Sequence, residues 1–109
     1  MIRYTTPTVA LTVDAVIPEA NVFVTFSQGA AVVTKPVVDI TRGENNTSIN
    51  VLLTQEETSR FKTSQPVSVQ VNWITPSGVR IATDSAKLNI LENLLSEVVE
   101  YDDQSIGGE

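Results

Sequence analysis

The chain has 109 residues, 41% of them hydrophobic, and a formal net charge of −6. That length suits one domain with a modest core, and the apolar content excludes wholesale disorder. Cysteine and histidine are both absent, which excludes disulfides, thiolate metal sites and any Ser-His or Cys-His nucleophile pair.

The first residues, Met1-Ile-Arg-Tyr-Thr-Thr-Pro7, lack the long apolar core of a signal peptide. No run reaches the length of a membrane span, so the expectation is a soluble protein made in the cytoplasm. Thr8-Val9-Ala10-Leu11-Thr12-Val13-Asp14 alternates apolar and polar positions, the period of a strand with one buried face. Pro18 then breaks the chain. Val22, Val24 and Phe26 alternate through a second strand to a tight turn at Ser27-Gln28-Gly29. Residues 31–35 read as the returning arm, and Pro36 places residues 31–40 on a sheet edge or across a bulge.

Arg42-Gly43-Glu44-Asn45-Asn46 is a loop. Ile49, Val51 and Leu53 then face one way, and Thr54-Gln55-Glu56-Glu57 has the form of a capping box. The spacing predicts a helix of a turn or two, to about Phe61, bridging one sheet to the other, with Phe61 plugging the end of the core.

Residues 66–99 organise the rest. Val67, Val69, Val71 and Trp73 alternate with Ser68, Gln70 and Asn72, giving a strand with Trp73 as a core centrepiece. Pro76-Ser77-Gly78 supplies a turn, Val79 to Ile81 return, and Ala86, Leu88 and Ile90 alternate again. Val67, Val69, Val71, Trp73, Leu88 and Ile90 are expected in the core.

The period then changes. Leu91, Leu94, Leu95, Val98 and Val99 fall at i, i+3, i+4, i+7 and i+8, the stripe of an amphipathic helix. So short a helix is marginal alone, so its own domain or a neighbour must cover it; these five residues are the candidate interface. The six excess negative charges also lie here, at Glu92, Glu97, Glu100, Asp102, Asp103 and Glu109, while seven acids and seven bases cancel before them.

About seven short strands at roughly ten-residue spacing argue for an all-β, two-sheet antiparallel sandwich of immunoglobulin-like kind. It carries one short crossover helix and a short C-terminal helix. Residues 1–90 form the β-sandwich domain, and residues 91–109 the amphipathic helix and an acidic end that Gly107-Gly108 leaves partly flexible.

A neutral body with an acidic tail gives nucleic acid nothing to hold. Glu56-Glu57 is a poor acid-base pair, because adjacent helical residues diverge and capping already explains Glu57. Asp102-Asp103-Gln104-Ser105 lacks the spacing and final glutamate of a calcium loop. No catalytic, cofactor-binding or metal-binding residue is expected. Asn45-Asn46-Thr47 and Asn46-Thr47-Ser48 fit the glycosylation acceptor pattern, but without a secretory signal they read as loop residues.

Three stretches carry a family likeness: Val22-Phe23-Val24-Thr25-Phe26, the phrase Leu53-Thr54-Gln55-Glu56-Glu57-Thr58, and the hairpin from Val69-Gln70-Val71-Asn72-Trp73 to Gly78-Val79-Arg80-Ile81-Ala82-Thr83. Together they resemble small β-sandwich structural proteins of tailed bacteriophages, closest in pattern to the N-terminal domain of the phage baseplate upper protein. The likeness spans residues 5–99; the chain stops where the baseplate protein continues into a longer helical region.

The resemblance implies a non-enzymatic virion protein of the tail, baseplate, neck or capsid exterior. Such a subunit would be a homo-oligomer that joins other virion proteins through an edge strand or the terminal helix. Two alternatives are an immunoglobulin-like module whose loops, residues 43–47 and 76–78, bind carbohydrate or a cell surface, and a small acidic inhibitor of a host protein.

Overall fold

A computed structural model describes residues 1–95 and 97–101. Alternating β-branched and aromatic residues give eight strands: β1 (Thr8–Val13), β2 (Asn21–Gln28), β3 (Ala31–Val37), β4 (Asp39–Arg42), β5 (Thr47–Leu52), β6 (Val67–Ile74), β7 (Arg80–Ala82) and β8 (Ala86–Leu88). One helix, α1 (Gln55–Ser59), stands between β5 and β6. Two antiparallel sheets result. The smaller has the order β1-β5-β4; the larger runs β3-β2-β6, with β7 and β8 end to end along the free side of β6. The expected all-β sandwich is therefore present, with eight strands instead of about seven.

The core lies between the sheets. Val22, Val24 and Phe26 of β2 join Val67, Val69, Val71 and Trp73 of β6, and Ile49 and Val51 of β5 face them. Leu53, Phe61 and Ile90 close the ends and are buried, whereas Leu88 packs against the core half-covered. Removing side chains of this size from water stabilises the fold by roughly 1.5–3 kcal/mol each.

Three buried polar side chains staple loops to that core. Gln28 Nε2 donates to the carbonyls of Lys62 and Gln65 at 2.7 and 2.6 Å, and its Oε1 accepts from the Lys62 amide at 2.7 Å. Thr47 Oγ1 accepts from the Ile17 amide and donates to Ala15 O. Thr58 Oγ1 accepts from the Thr5 amide and donates to Thr5 O.

The capping box forms as the spacing predicts. Thr54 Oγ1 accepts from the Glu57 amide at 3.1 Å, and Glu57 Oε1 accepts from the Thr54 amide at 2.9 Å. The helix carries the chain from the smaller sheet to the larger, ending on buried Phe61.

Residues 31–40 lie on sheet edges, as expected, but on those of two different sheets: β3 is an edge of the larger sheet, and the chain passes at Val38, which is fully exposed, to β4, an edge of the smaller one. Pro36 sits in β3 opposite Phe23, where an edge tolerates the missing donor. One expectation needs correction: the C-terminal helix does not form among the described residues, where α1 is the one helix. Asn93 Oδ1 accepts from the Leu95 amide at 3.1 Å, a local bond that competes with helix. The Val99 backbone is also held by the Gln55 side-chain amide. The expected acidic end, residues 102–109, lies outside the described residues.

Candidate interaction surfaces

The C-terminal segment is tied down by its backbone. Leu91 forms a parallel bridge with Ile2, its amide donating to Met1 O at 2.8 Å and its carbonyl accepting from the Arg3 amide at 2.9 Å. Arg3 reinforces the joint. Its Nη1 donates to Glu92 Oε1 at 2.8 Å, its Nη2 to Ser59 O at 2.6 Å, and its guanidinium lies 5.3 Å from the Tyr4 ring centre. Farther along, the Gln55 side-chain amide behaves as a strand would: Nε2 donates to Val99 O, and Oε1 accepts from the Val99 amide at 2.9 Å.

The segment's apolar side chains stay largely in water. Leu94 is 103% exposed, Leu91 57%, Leu95 50%, Val98 54% and Val99 41%. Scattered apolar residues on a surface need no explanation, whereas several in one short segment are a candidate interaction surface. The five residues singled out from the sequence therefore lie together on one exposed segment, though without a helix to array them.

The charged groups around α1 are committed to structure. Burial alone would raise the Glu57 carboxyl; the Thr54 amide and the Lys35 ammonium outweigh it and hold the carboxyl below its usual range. Lys35 Nζ donates to both Glu57 oxygens at 3.0 Å, joining β3 to the helix. Glu56 pairs with Arg60 at 3.1 Å, one turn away. The two glutamates thus have separate partners. Among the described residues, no group of His, Cys, Asp or Glu is placed to hold a metal ion. No described helix is long and apolar enough to cross a membrane.

The loops at residues 43–47 and 76–78 are tight turns. Gly43 N donates to Asn46 O at 2.8 Å, and Gly78, at φ +90°, closes the β6–β7 turn by donating to Thr75 O at 2.9 Å. Neither offers an aromatic platform. The outer face of the larger sheet does. A shallow pocket of about 270 Å³ there is bounded by Phe23, Thr25, Thr34, Asn72 and Arg80. Thr25 and Thr34 hydroxyls bond each other at 3.0 Å, and Arg80 Nη2 reaches Asn72 Oδ1 at 3.5 Å. The signal was in the alternation: with Val22, Val24 and Phe26 inward, Phe23 must face out.

No protein-family model, no curated protein sequence and no solved structure matches this chain.

Proposed function

We propose that the protein is a non-enzymatic structural component of a phage virion, a tail, baseplate, neck or capsid-exterior subunit. In this reading the sandwich is immunoglobulin-like, and the chain is a homo-oligomer that joins other virion proteins. The observation that carries the assembly role is the exposed row Leu91, Leu94, Leu95, Val98 and Val99, anchored by backbone at both ends. A held segment with uncovered apolar side chains has its partner outside the fold. Closed rings of identical subunits supply such partners. The phage assignment itself draws on the resemblance, chiefly the phrase Leu53-Thr54-Gln55-Glu56-Glu57-Thr58.

Light scattering tests the assembly role on the full chain and on a Leu94→Glu/Leu95→Glu variant. The full chain is expected as an oligomer, and the variant at lower mass with unchanged Trp73 fluorescence. A full chain that stays monomeric at every concentration, alone and with virion proteins, would overturn the reading.

A second reading, a carbohydrate-binding module, is favoured by the Phe23 pocket, where an apolar ring lies beside an amide, hydroxyls and a guanidinium. Glycan binding abolished by Phe23→Ala would support it, and binding that depends on Asn45 and Asn46 would place recognition on the loops instead.

A further inference from the structure

Four edges bound the two sheets, and three are guarded. β3 carries Lys35 and Pro36. β4 has only four residues, two of them Asp39 and Arg42. β7 and β8 are three residues each, with Arg80 and Lys87. They are also broken by a bulge: residues 83–85 stand opposite only residues 70 and 71, because Ala82 pairs with Asn72 and Ala86 with Val69. Thr83 stabilises the bulge, its Oγ1 accepting from the Val71 amide at 3.1 Å.

β1 has no such protection. Thr8-Val9-Ala10-Leu11-Thr12-Val13 is six residues long, uncharged, unbulged and free of proline, the description of an edge open to another strand. The phase of its ladder is fixed, because the Leu53 amide donates to Pro7 O at 3.0 Å. Residues 9, 11 and 13 therefore turn their backbone groups toward β5, and Thr8, Ala10 and Thr12 turn theirs outward.

Beside this edge lies a groove of about 360 Å³, walled by Leu11 and Val13 of β1, Val71 and Trp73 of β6, and Asp84 and Ala86 across the bulge. It exists because the smaller sheet is three strands wide and the larger is four. Ile81, the cross-strand partner of Trp73, is 43% exposed for want of a covering strand. Trp73 Nε1 is buried with no acceptor among the described residues. Asp14 also lines the groove; neither it nor Asp84 has an ion-pair partner among the described residues.

We infer that β1 and this groove accept an extended strand from a different protein, in which apolar residues alternate with polar ones and a Lys or Arg meets Asp14 or Asp84. The strand extends the smaller sheet by β-augmentation, with its inward side chains covering Ile81 and Trp73. A second copy's C-terminal segment is a poorer occupant. It brings Glu92, Glu97 and Glu100 toward two aspartates, and its Leu94-Leu95 and Val98-Val99 pairs do not alternate. The inference deepens the assembly role proposed above but concerns a different surface, so either fails without the other.

The test titrates the full chain with the peptide acetyl-Lys-Val-Thr-Val-Thr-Val-Lys-amide. It follows the fluorescence of Trp73, the chain's one tryptophan, and amide exchange at Thr8, Ala10 and Thr12. Saturable binding is expected, with exchange at those three amides slowed at least tenfold. The same peptide with proline for its central valine and for the threonine after it, which removes an amide facing β1 in either strand direction, should lose binding, and one with glutamate for both lysines should bind at least tenfold more weakly. Ala10→Pro removes only an outward amide and should abolish binding; should that variant not fold, the proline peptide makes the same test from the other side. Absent binding, equal binding of the proline peptide, or an edge already protected in a β1-mediated dimer of the free chain would each overturn the inference.

Discussion

Strand β6 and the C-terminal segment are built from the same kinds of side chain and meet opposite fates. Val67, Val69 and Val71 are at most 4% exposed, whereas Leu94, Leu95, Val98 and Val99 lie in water. The difference is one of partners. In β6 the alternation puts Val67, Val69, Val71 and Trp73 on the face turned toward the smaller sheet. The segment after Ile90 is held to the body by its backbone, by Glu92 and by the Gln55 side chain, and its apolar groups keep much of their surface in water. Burying them against another surface has roughly 1.5–3 kcal/mol per side chain still available.

Substitutions should sharpen that contrast. The largest effect belongs to Phe61→Ala, which opens a cavity under α1 and should cost about 3–5 kcal/mol in denaturant unfolding. Gln28→Ala should follow. It strands the Lys62 amide and two carbonyls, a loss of about 1–3 kcal/mol visible as a lower midpoint at unchanged slope. Thr54→Ala removes the helix cap and should cost about 1 kcal/mol.

Acid offers a finer probe. The folded state holds the Glu57 carboxyl below its usual range, so this group's contribution is complete above the unfolded value. It is lost as pH falls through the lowered folded one. Melting temperature should therefore fall on acidification, and Glu57→Gln should flatten part of that fall. The smallest effect is expected at Leu94→Ala, within about 0.5 kcal/mol, because nothing in the fold touches a fully exposed side chain.

Much of the body was legible from the sequence. Period-two alternation at residues 49–53 and 67–73 assigned the inner faces, and Thr54 with Glu57 announced a capping box, because these signals are local. The break at Val38 was not legible, since nothing local tells one continuous edge strand from two strands in different sheets. The helix expected over residues 91–99 failed for a related reason. A stripe at helical spacing describes a surface that needs a partner, and the fold offers Gln55 and Ile2 as backbone partners but no apolar wall. Phe23 was implied by its neighbours; the Arg80 and Asn72 beside it depended on the pairing of β7 with β6.

The most direct test compares the full chain with a version ending at Glu92, which keeps the Ile2–Leu91 bridge and the Arg3–Glu92 pair, by solution mass and by Trp73 fluorescence. The account predicts an oligomeric full chain and a shorter chain that is monomeric with the same tryptophan signal. A shorter chain that loses that signal would contradict it, because the exposed row would then belong to the core.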